Sequence, residues 1–176
     1  MKTLLGLSGS LRTQSINTAL LRTLGESLPE GVELQIYDYG DVPLFNSDLE
    51  PIPSSVVALQ QAIGAADGVV IATPEYNHSI PGVLKNALDW ASRPAYQSVF
   101  RDQSCALLSA SPGPVGGARA QQHLKTVLLG MGANVFPWQE LAVGRAGKLV
   151  ADGRIRDERT ERHLRAFAEG FTAWVG

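Results

Sequence analysis

A short polar segment near the N-terminus carries the residue types that bind phosphate. Hydroxyl, amide and guanidinium side chains cluster at the predicted start of the first helix, at Ser10, Arg12, Ser15 and Asn17. A helix N-terminus adds unpaired N–H groups and the positive end of the helix dipole, and both attract anions. Residues 9–17 therefore have the composition of a phosphate-binding loop. A plainer alternative stays open, in which Ser15 or Asn17 caps the helix and Arg12 is a solvated surface residue.

Two common phosphate-binding motifs do not fit this segment. A Walker loop requires a lysine before its final serine or threonine, and residues 9–17 contain no lysine. The dinucleotide-binding fingerprint requires a third glycine at a set spacing, which residues 6–11 lack. That fingerprint also uses an acidic residue after the second strand. Asp38 comes closest, and it is the best argument for an NAD-binding domain as the alternative.

A second polar loop, residues 73–82, follows a strongly apolar run. Pro74 restricts the backbone, so the main-chain groups beside it could hold a flat heterocycle in a fixed register. The polar side chains also have ordinary interpretations: Glu75 as a solvated acid, Asn77 as a turn former and His78 as a surface histidine. No second ligand stands at metal-binding spacing from His78, so we expect no metal site.

Apolar runs of strand length alternate with stretches of helical periodicity along the chain. The predicted strands are residues 4–8, 32–36, 68–73, 105–110 and 133–136. Strands that alternate with helices imply a parallel sheet with helices on both faces. Near the C-terminus, Asp152-Gly153 predicts a hairpin turn between short extended pieces, before a final amphipathic helix.

The second predicted strand differs from the others in its pattern. Apolar and polar residues alternate over residues 32–36, which is typical of a half-exposed edge strand. Residues 68–73 and 105–110 are continuously apolar, as buried central strands are. The strand order 2-1-3-4-5 satisfies both patterns. Ligands of such a sheet bind at the carboxyl ends of strands one and three, so we expect the functional residues in the loops after strands one, three and four.

Composition bounds the possible functions. A chain of 176 residues suits a single domain, spanning residues 1–176. The net charge is −2 without a basic patch, so nucleic acid is not an expected partner. A single cysteine, Cys105, excludes a disulfide framework, and its apolar neighbours predict a buried thiol. No apolar stretch is long enough for a bilayer or a signal peptide, so we expect no membrane association and a cytoplasmic location.

Three sequence motifs lie at the predicted ligand-binding ends of the strands. They are Gly9-Ser10-Leu11-Arg12 with Ser15 and Asn17; Pro74-Glu75-Tyr76-Asn77 with Ser79, Pro81-Gly82 and residues 84–90; and Ser111 with Gly116-Gly117-Ala118-Arg119. Together they resemble the signatures of the NADPH-dependent FMN reductase family. The two longer motifs in combination are highly specific, and the resemblance extends from the first strand to the final helix.

The resemblance implies a flavodoxin-like three-layer α/β fold with a five-stranded parallel sheet and bound FMN. By similarity, the first loop would bind the FMN phosphate through Ser10, Arg12, Ser15, Ile16 and Asn17. The second loop would border the isoalloxazine, largely through the main chain of Pro74, Glu75, Tyr76 and Asn77. The third loop would cover the other edge of the ring with Ser111, Gly113, Gly116 and Gly117.

The resemblance also implies the activity. NAD(P)H would reduce FMN and leave, and a small acceptor such as a quinone, an azo compound, chromate or free flavin would then take the electrons at the same open face. The flavin performs this chemistry, so no catalytic side chain is expected. A flavodoxin-type electron carrier with little NAD(P)H activity is the main alternative, although its usual strong acidity is missing here. A non-flavin domain with a degenerate pocket is the second alternative.

The third loop is rich in glycine and proline. Gly113, Gly116 and Gly117 allow close backbone approach. The last two also open a helix, whose N–H groups would favour negative charge on the reduced ring. A plain flexible loop is the alternative. Pro112-Gly113-Pro114 forms a stiff turn where family members often carry other small residues.

Members of the family generally form dimers or tetramers whose contacts lie beside the flavin. The resemblance therefore implies a homodimer or homotetramer, with Trp90, Arg93 and Tyr96 as candidates for the contact surface. Lys85 and Asp89 are spaced i,i+4, and we expect them to pair on the helix surface.

Overall fold

The computed structural model describes residues 1–175, which form a six-stranded parallel sheet with helices on both faces and a separate two-stranded hairpin. The strands are β1 (Lys2–Ser8), β2 (Val32–Tyr37), β3 (Gly68–Thr73), β4 (Ser104–Ala110), β5 (Asn134–Val135), β6 (Leu141–Val143), β7 (Val150–Ala151) and β8 (Arg154–Ile155). The helices are α1 (Ile16–Gly25), α2 (Ser54–Ala65), α3 (Gly82–Ala91), α4 (Ala118–Gly130) and α5 (Glu158–Trp174).

The order of the strands is β2-β1-β3-β4-β5. This is the order predicted from the apolar patterns, and it confirms the flavodoxin-like α/β fold. β3 is buried along its whole length, whereas the edge strand β2 is partly exposed. β1 pairs in parallel with both β2 and β3, so the carboxyl ends of β1 and β3 lie side by side where the winding direction reverses.

The far edge of the sheet is built from two short strands. β5 pairs with the start of β4 and β6 with its end. The sequence predicted one strand over residues 133–136 at this edge. Pro137 lies just after that segment and lacks the N–H group that a continuous ladder needs, so the pairing with β4 stops and resumes at β6.

Two apolar layers flank the sheet. α1 and α5 pack on one face, with Leu20, Phe167 and Phe171 among the buried side chains. α2, α3 and α4 pack on the other face. Cys105 of β4 lies fully buried in this second layer, and burial raises the pKa of its thiol to about 12. The predicted buried thiol is confirmed.

The hairpin near the C-terminus is confirmed as well. β7 and β8 pair antiparallel, and Asp152 and Gly153 between them have φ angles of 50° and 69°. Within residues 1–175, none of the helices has the length and apolar character needed to cross a bilayer.

Candidate functional site

The loops after β1, β3 and β4 meet at the carboxyl edge of the sheet, as the strand order predicts. The N–H of Gly9 donates to the carbonyl of Ala72 at 2.8 Å. A Cβ on Gly9 would lie 2.9 Å from Oγ1 of Thr73, and one on Gly117 would lie 3.5 Å from the carbonyl oxygen of Thr73. The end of β3 is therefore in close contact with both neighbouring loops, and the three form one crevice.

The first loop ends in a capped helix with free donors. Oγ of Ser15 accepts from the N–H of Thr18 at 3.2 Å, which makes Ser15 the N-cap of α1 and confirms the capping interpretation for this residue. Its own O–H has Oγ of Ser8 as a possible acceptor at 3.5 Å, the outer limit of a hydrogen bond. The N–H groups of Ile16 and Asn17 find no acceptor among residues 1–175. They point out of the helix start as anion-binding groups do.

The side chain of Asn17 has a structural task that the sequence did not reveal. Its amide is buried and bonds the main chain of Ala110 at both ends. We expected this amide to be free to bind phosphate, and the structure shows it engaged instead. The main-chain N–H of Asn17 is the group that stays open to the crevice.

Two other residues of the first loop keep their polar groups free. Arg12 is exposed and has no carboxylate partner within residues 1–175. Ser10 is largely buried, and its main chain is held by the side chain of Ser8. The hydroxyl of Ser10 makes no hydrogen bond among the described residues. One guanidinium and one hydroxyl are thus ready for a ligand.

Tyr39 holds the end of β1, where the first loop begins. It is buried, and its hydroxyl donates to the carbonyl of Ser8 at the end of β1. Burial raises the pKa of Tyr39, with a further contribution from the neighbouring Asp38. Asp38 is exposed and accepts from the N–H of Gly40 at 2.9 Å, so it closes a local turn. That contact gives Asp38 a structural role in the turn, without the bound NAD ribose that the dinucleotide-binding alternative would place there.

The second loop contains a tight two-residue turn. The main chains of Tyr76 and Ser79 exchange hydrogen bonds of 2.9 and 3.0 Å. Asn77 and His78 between them have φ angles of 49° and 65°, and both side chains are exposed. Asn77 is therefore a turn former, as the plainer interpretation had it. Pro74 is buried at the start of the loop and fixes where the turn begins.

Glu75 is not a solvated acid. Its Oε1 lies 2.6 Å from Nε of Arg119, and its Oε2 accepts from the main-chain N–H of Arg119 at 3.2 Å. The Glu75 side chain is only 10% exposed. In the same region, Nδ1 of His123 lies 3.0 Å from Oγ of Ser79. The contacts of Arg119 with Glu75 and of His123 with Ser79 could not be predicted, because residues 44 positions apart give no spacing signal.

The third loop is held tightly, which excludes the plain flexible interpretation. Hydrogen bonds join Ser111 N–H to the carbonyl of Val143, Arg145 N–H to Gly113 and Ala146 N–H to Ser111, at 2.9 to 3.1 Å. A Cβ on Gly116 would lie 2.7 Å from the carbonyl carbon of Ala142. The predicted close approach at Gly116 is therefore an approach to β6 of the same chain.

Gln121 is a further residue that the sequence did not single out. Its buried amide donates to Oγ of Ser109 at 2.7 Å and to the carbonyl of Leu141 at 3.0 Å. Gln121 thus ties α4 to both β4 and β6 beneath the third loop. Its position on a helix of mixed polarity carried no signal for this role.

One of the three candidate contact residues is internal. Trp90 is 3% exposed, donates from Nε1 to the carbonyl of Pro43 at 2.8 Å and packs edge-on against Phe45. The expectation that Trp90 lies on a subunit surface is wrong for this reason. Arg93 and Tyr96 are exposed. The predicted pairing of Lys85 with Asp89 is confirmed at 2.6 Å.

A cavity of about 750 Å³ lies between β6 and the first half of α5. Of its lining residues only Pro114 belongs to the three loops, so this cavity is distinct from the crevice. Nowhere in residues 1–175 do three His, Cys, Asp or Glu side chains come close enough together to hold a metal ion.

Comparison with known proteins adds sequence relatives. The family model for NADPH-dependent FMN reductase matches residues 2–148. The chain is 39% identical to the 2-hydroxy-1,4-benzoquinone reductase of a Burkholderia species over 169 residues, which are 95% of this chain and 92% of the relative. It is 38% identical to an NAD(P)H-dependent FMN reductase of Pseudomonas aeruginosa over 174 residues, 97% of this chain and 94% of the relative.

A solved structure is similar over nearly the whole chain. It is the flavoenzyme NAD(P)H:(acceptor) oxidoreductase FerB of Paracoccus denitrificans, which is 37% identical in sequence. The two structures superpose with a TM-score of 0.90, and the match covers 99% of this chain and 97% of the other.

Proposed function

The chain belongs to the NADPH-dependent FMN reductase family, and on that premise we propose that the crevice formed by the loops after β1, β3 and β4 is its FMN site. The protein is an FMN-dependent NAD(P)H oxidoreductase that reduces small electron acceptors. FMN, when bound, supplies the hydride chemistry. The residues of the chain bind it, orient it and control access to it.

The observation that carries this proposal is the set of free donors at the start of α1. Among residues 1–175, the N–H groups of Ile16 and Asn17, the hydroxyl of Ser10 and the guanidinium of Arg12 donate to no other group. The O–H of Ser15 has Oγ of Ser8 within reach, but at 3.5 Å, the outer limit of a hydrogen bond. A phosphate accepts several hydrogen bonds and carries the charge that a helix N-terminus and a guanidinium favour. The donor set therefore fits the phosphate of FMN.

The second and third loops fit a flat aromatic ring. Each of the three loops exposes one large apolar side chain: Leu11 is 47%, Tyr76 48% and Val115 47% exposed. The turn at Asn77 and the hydrogen-bonded third loop hold the main chain around them in place. An open face with apolar and aromatic edges favours planar acceptors, and we propose quinones as the acceptor class. Donor and acceptor would occupy this face in turn.

We extend the proposal to the organisation of the protein. Residues 1–176 would act as one FMN-binding domain, because all three loops of the crevice arise from one sheet. Arg93 and Tyr96 would contribute to the contact surface of a homodimer or homotetramer, since both are exposed and Tyr96 is 90% accessible. A cytoplasmic location fits an enzyme that depends on NAD(P)H.

The test is chromophore analysis followed by binding and turnover. We expect purified protein to be yellow and to release FMN on denaturation. Apoprotein should bind FMN at least tenfold more tightly than riboflavin, because riboflavin lacks the phosphate that the first loop is proposed to bind. Steady-state assays with NADH and NADPH should show turnover with a benzoquinone.

Two results would speak against the proposal. A protein that stays colourless in excess FMN would overturn the assignment of the crevice. A yellow protein that is bleached by dithionite but not by NADH or NADPH under anaerobic conditions would favour a flavodoxin-type electron carrier.

A further inference from the structure

The N-terminus of α4 is capped by a side chain from another loop. Gly117, the N-cap residue of α4, has no side chain that could accept from the first turn. The carboxylate of Glu75 takes that place, since it accepts from the main-chain N–H of Arg119 and pairs with the guanidinium of the same residue. The first helical turn of α4 and the second loop of the crevice are thus joined by a nearly buried carboxylate.

The same helix also holds the far end of that loop. His123, one turn further along α4, contacts Oγ of Ser79. Between Glu75 and Ser79 the backbone adopts positive φ at Asn77 and His78. Such conformations are unfavourable for residues other than glycine and persist where the surrounding structure enforces them. Contacts from α4 at both ends supply that support.

Glu75 also changes the charge near the crevice. The free N–H groups and dipole of α4 carry a partial positive charge, which a nearby carboxylate opposes. The guanidinium of Arg119 compensates the carboxylate in turn. When Glu75 and Arg119 are both present, their charges cancel, and the positive charge at the α4 end of the crevice is little more than the partial charge of the helix dipole. Loss of either partner would leave a full charge, of opposite sign in the two cases.

We propose that Glu75 and Arg119 act together as positioning residues, which hold the turn at Tyr76–Ser79 in place and balance the charge beside the ring of bound FMN. This inference rests on the proposed FMN site. Two-electron reduction adds negative charge to the flavin ring, so nearby charges shift its midpoint potential. An unpaired carboxylate opposes reduction, and an unpaired guanidinium favours it.

The test is a double-mutant cycle on the holoenzyme, with the midpoint potential of bound FMN as the readout. Glu75→Gln should raise the potential and Arg119→Gln should lower it. Each shift should correspond to at least about a tenfold change in the equilibrium constant for two-electron reduction, which is about 30 mV. The midpoint potential of the double variant should lie close to that of the wild type. Arg119→Lys keeps the positive charge, so its potential should fall much less than that of Arg119→Gln.

Lys85→Gln is the matched control. It also breaks a 2.6 Å ion pair, but one on the exposed face of α3, so its potential should not change. Shifts of the same sign in Glu75→Gln and Arg119→Gln, or no shift in either, would overturn the inference. If both variants bound FMN more weakly but kept the wild-type potential, Glu75 and Arg119 would have a purely structural role, and the proposed charge balance would be wrong. A wild-type protein that binds no FMN would instead refute the proposed site itself.

Discussion

Asn17 at the start of α1 bonds the main chain of Ala110 at the end of β4 through both ends of its amide. Nδ2 donates to the Ala110 carbonyl at 3.0 Å, and the Ala110 N–H donates to Oδ1 at 2.9 Å. The two residues are 93 positions apart. The amide satisfies two main-chain groups of a buried strand end and fixes the first loop relative to the third.

Asn17→Ala should lower the free energy of unfolding of the apoprotein by about 2–4 kcal/mol, because two buried hydrogen bonds are lost and two main-chain groups lose their partner. Urea unfolding followed by circular dichroism measures the change. Asn46→Ala is the control: its amide oxygen accepts from the N–H of Asp48 in an exposed loop, so the cost there should stay below about 0.5 kcal/mol. Equal effects of the two substitutions would contradict the role of Asn17.

Gly116 and Gly64 offer a second contrast. Gly116 has φ of 72°, and a Cβ there would meet the main chain of Ala142 and Gly144 at 2.7 and 2.8 Å. Gly116→Ala should therefore destabilise the protein by at least about 1–3 kcal/mol. A Cβ on Gly64 in α2 would meet nothing within 4 Å, so Gly64→Ala should stabilise the protein by about 0.5–1 kcal/mol. Thermal unfolding distinguishes the two. If Gly116→Ala left the stability unchanged, the third loop would have to accommodate the added Cβ by a small backbone shift.

The strand order could be predicted because it depends on local patterns of apolar and polar residues within each strand. Alternation over residues 32–36 indicates one solvated face, and the unbroken apolar run at residues 68–73 indicates two covered faces. The structure shows the same difference, since β2 is partly exposed and β3 is buried along its whole length. Once the order is known, the carboxyl ends of β1 and β3 must carry the crevice. Residue types in the adjoining loops then indicate the ligand.

Side-chain partners could not be predicted, because they depend on which distant residues meet. Nothing at position 75 or 119 specifies that Glu75 and Arg119 form a pair across two loops. Asn17 has the residue type of a phosphate donor, and only the position of β4 shows that its amide is occupied. Trp90 follows a helical period that suits an interior or an interface equally, and the loop at Pro43 decides between them.

The thiol of Cys105 should be unreactive and should make stability depend on pH. Burial raises its pKa from 9.0 to about 12, so the native state holds a proton that the unfolded state loses above about pH 9. Stability from this group is complete below about pH 9 and is lost as the pH rises towards 12, with a slope of up to about 1.4 kcal/mol per pH unit. Urea unfolding across this range measures the slope.

Cys105→Ala provides the comparison for this pH dependence. It should remove the thiol's part of the slope, while Tyr39, whose pKa is also raised by burial, continues to contribute at higher pH. A thiol reagent at about pH 8 should label unfolded but not native wild-type protein. Rapid labelling of the native protein would show that β4 opens readily or that the thiol is accessible.

Arg12→Ala should weaken FMN binding roughly tenfold to a hundredfold and leave the fold intact. Arg12 is exposed and pairs with no carboxylate in the described residues, so its removal breaks no ion pair there. A charge-assisted hydrogen bond to phosphate contributes about 1.5–3 kcal/mol, which sets the expected range. Fluorescence titration of apoprotein measures it, and riboflavin binding should change little because riboflavin has no phosphate. Arg165→Ala, another exposed arginine, is the control for net charge. Equal losses for FMN and riboflavin, or none for FMN, would remove Arg12 from the phosphate site.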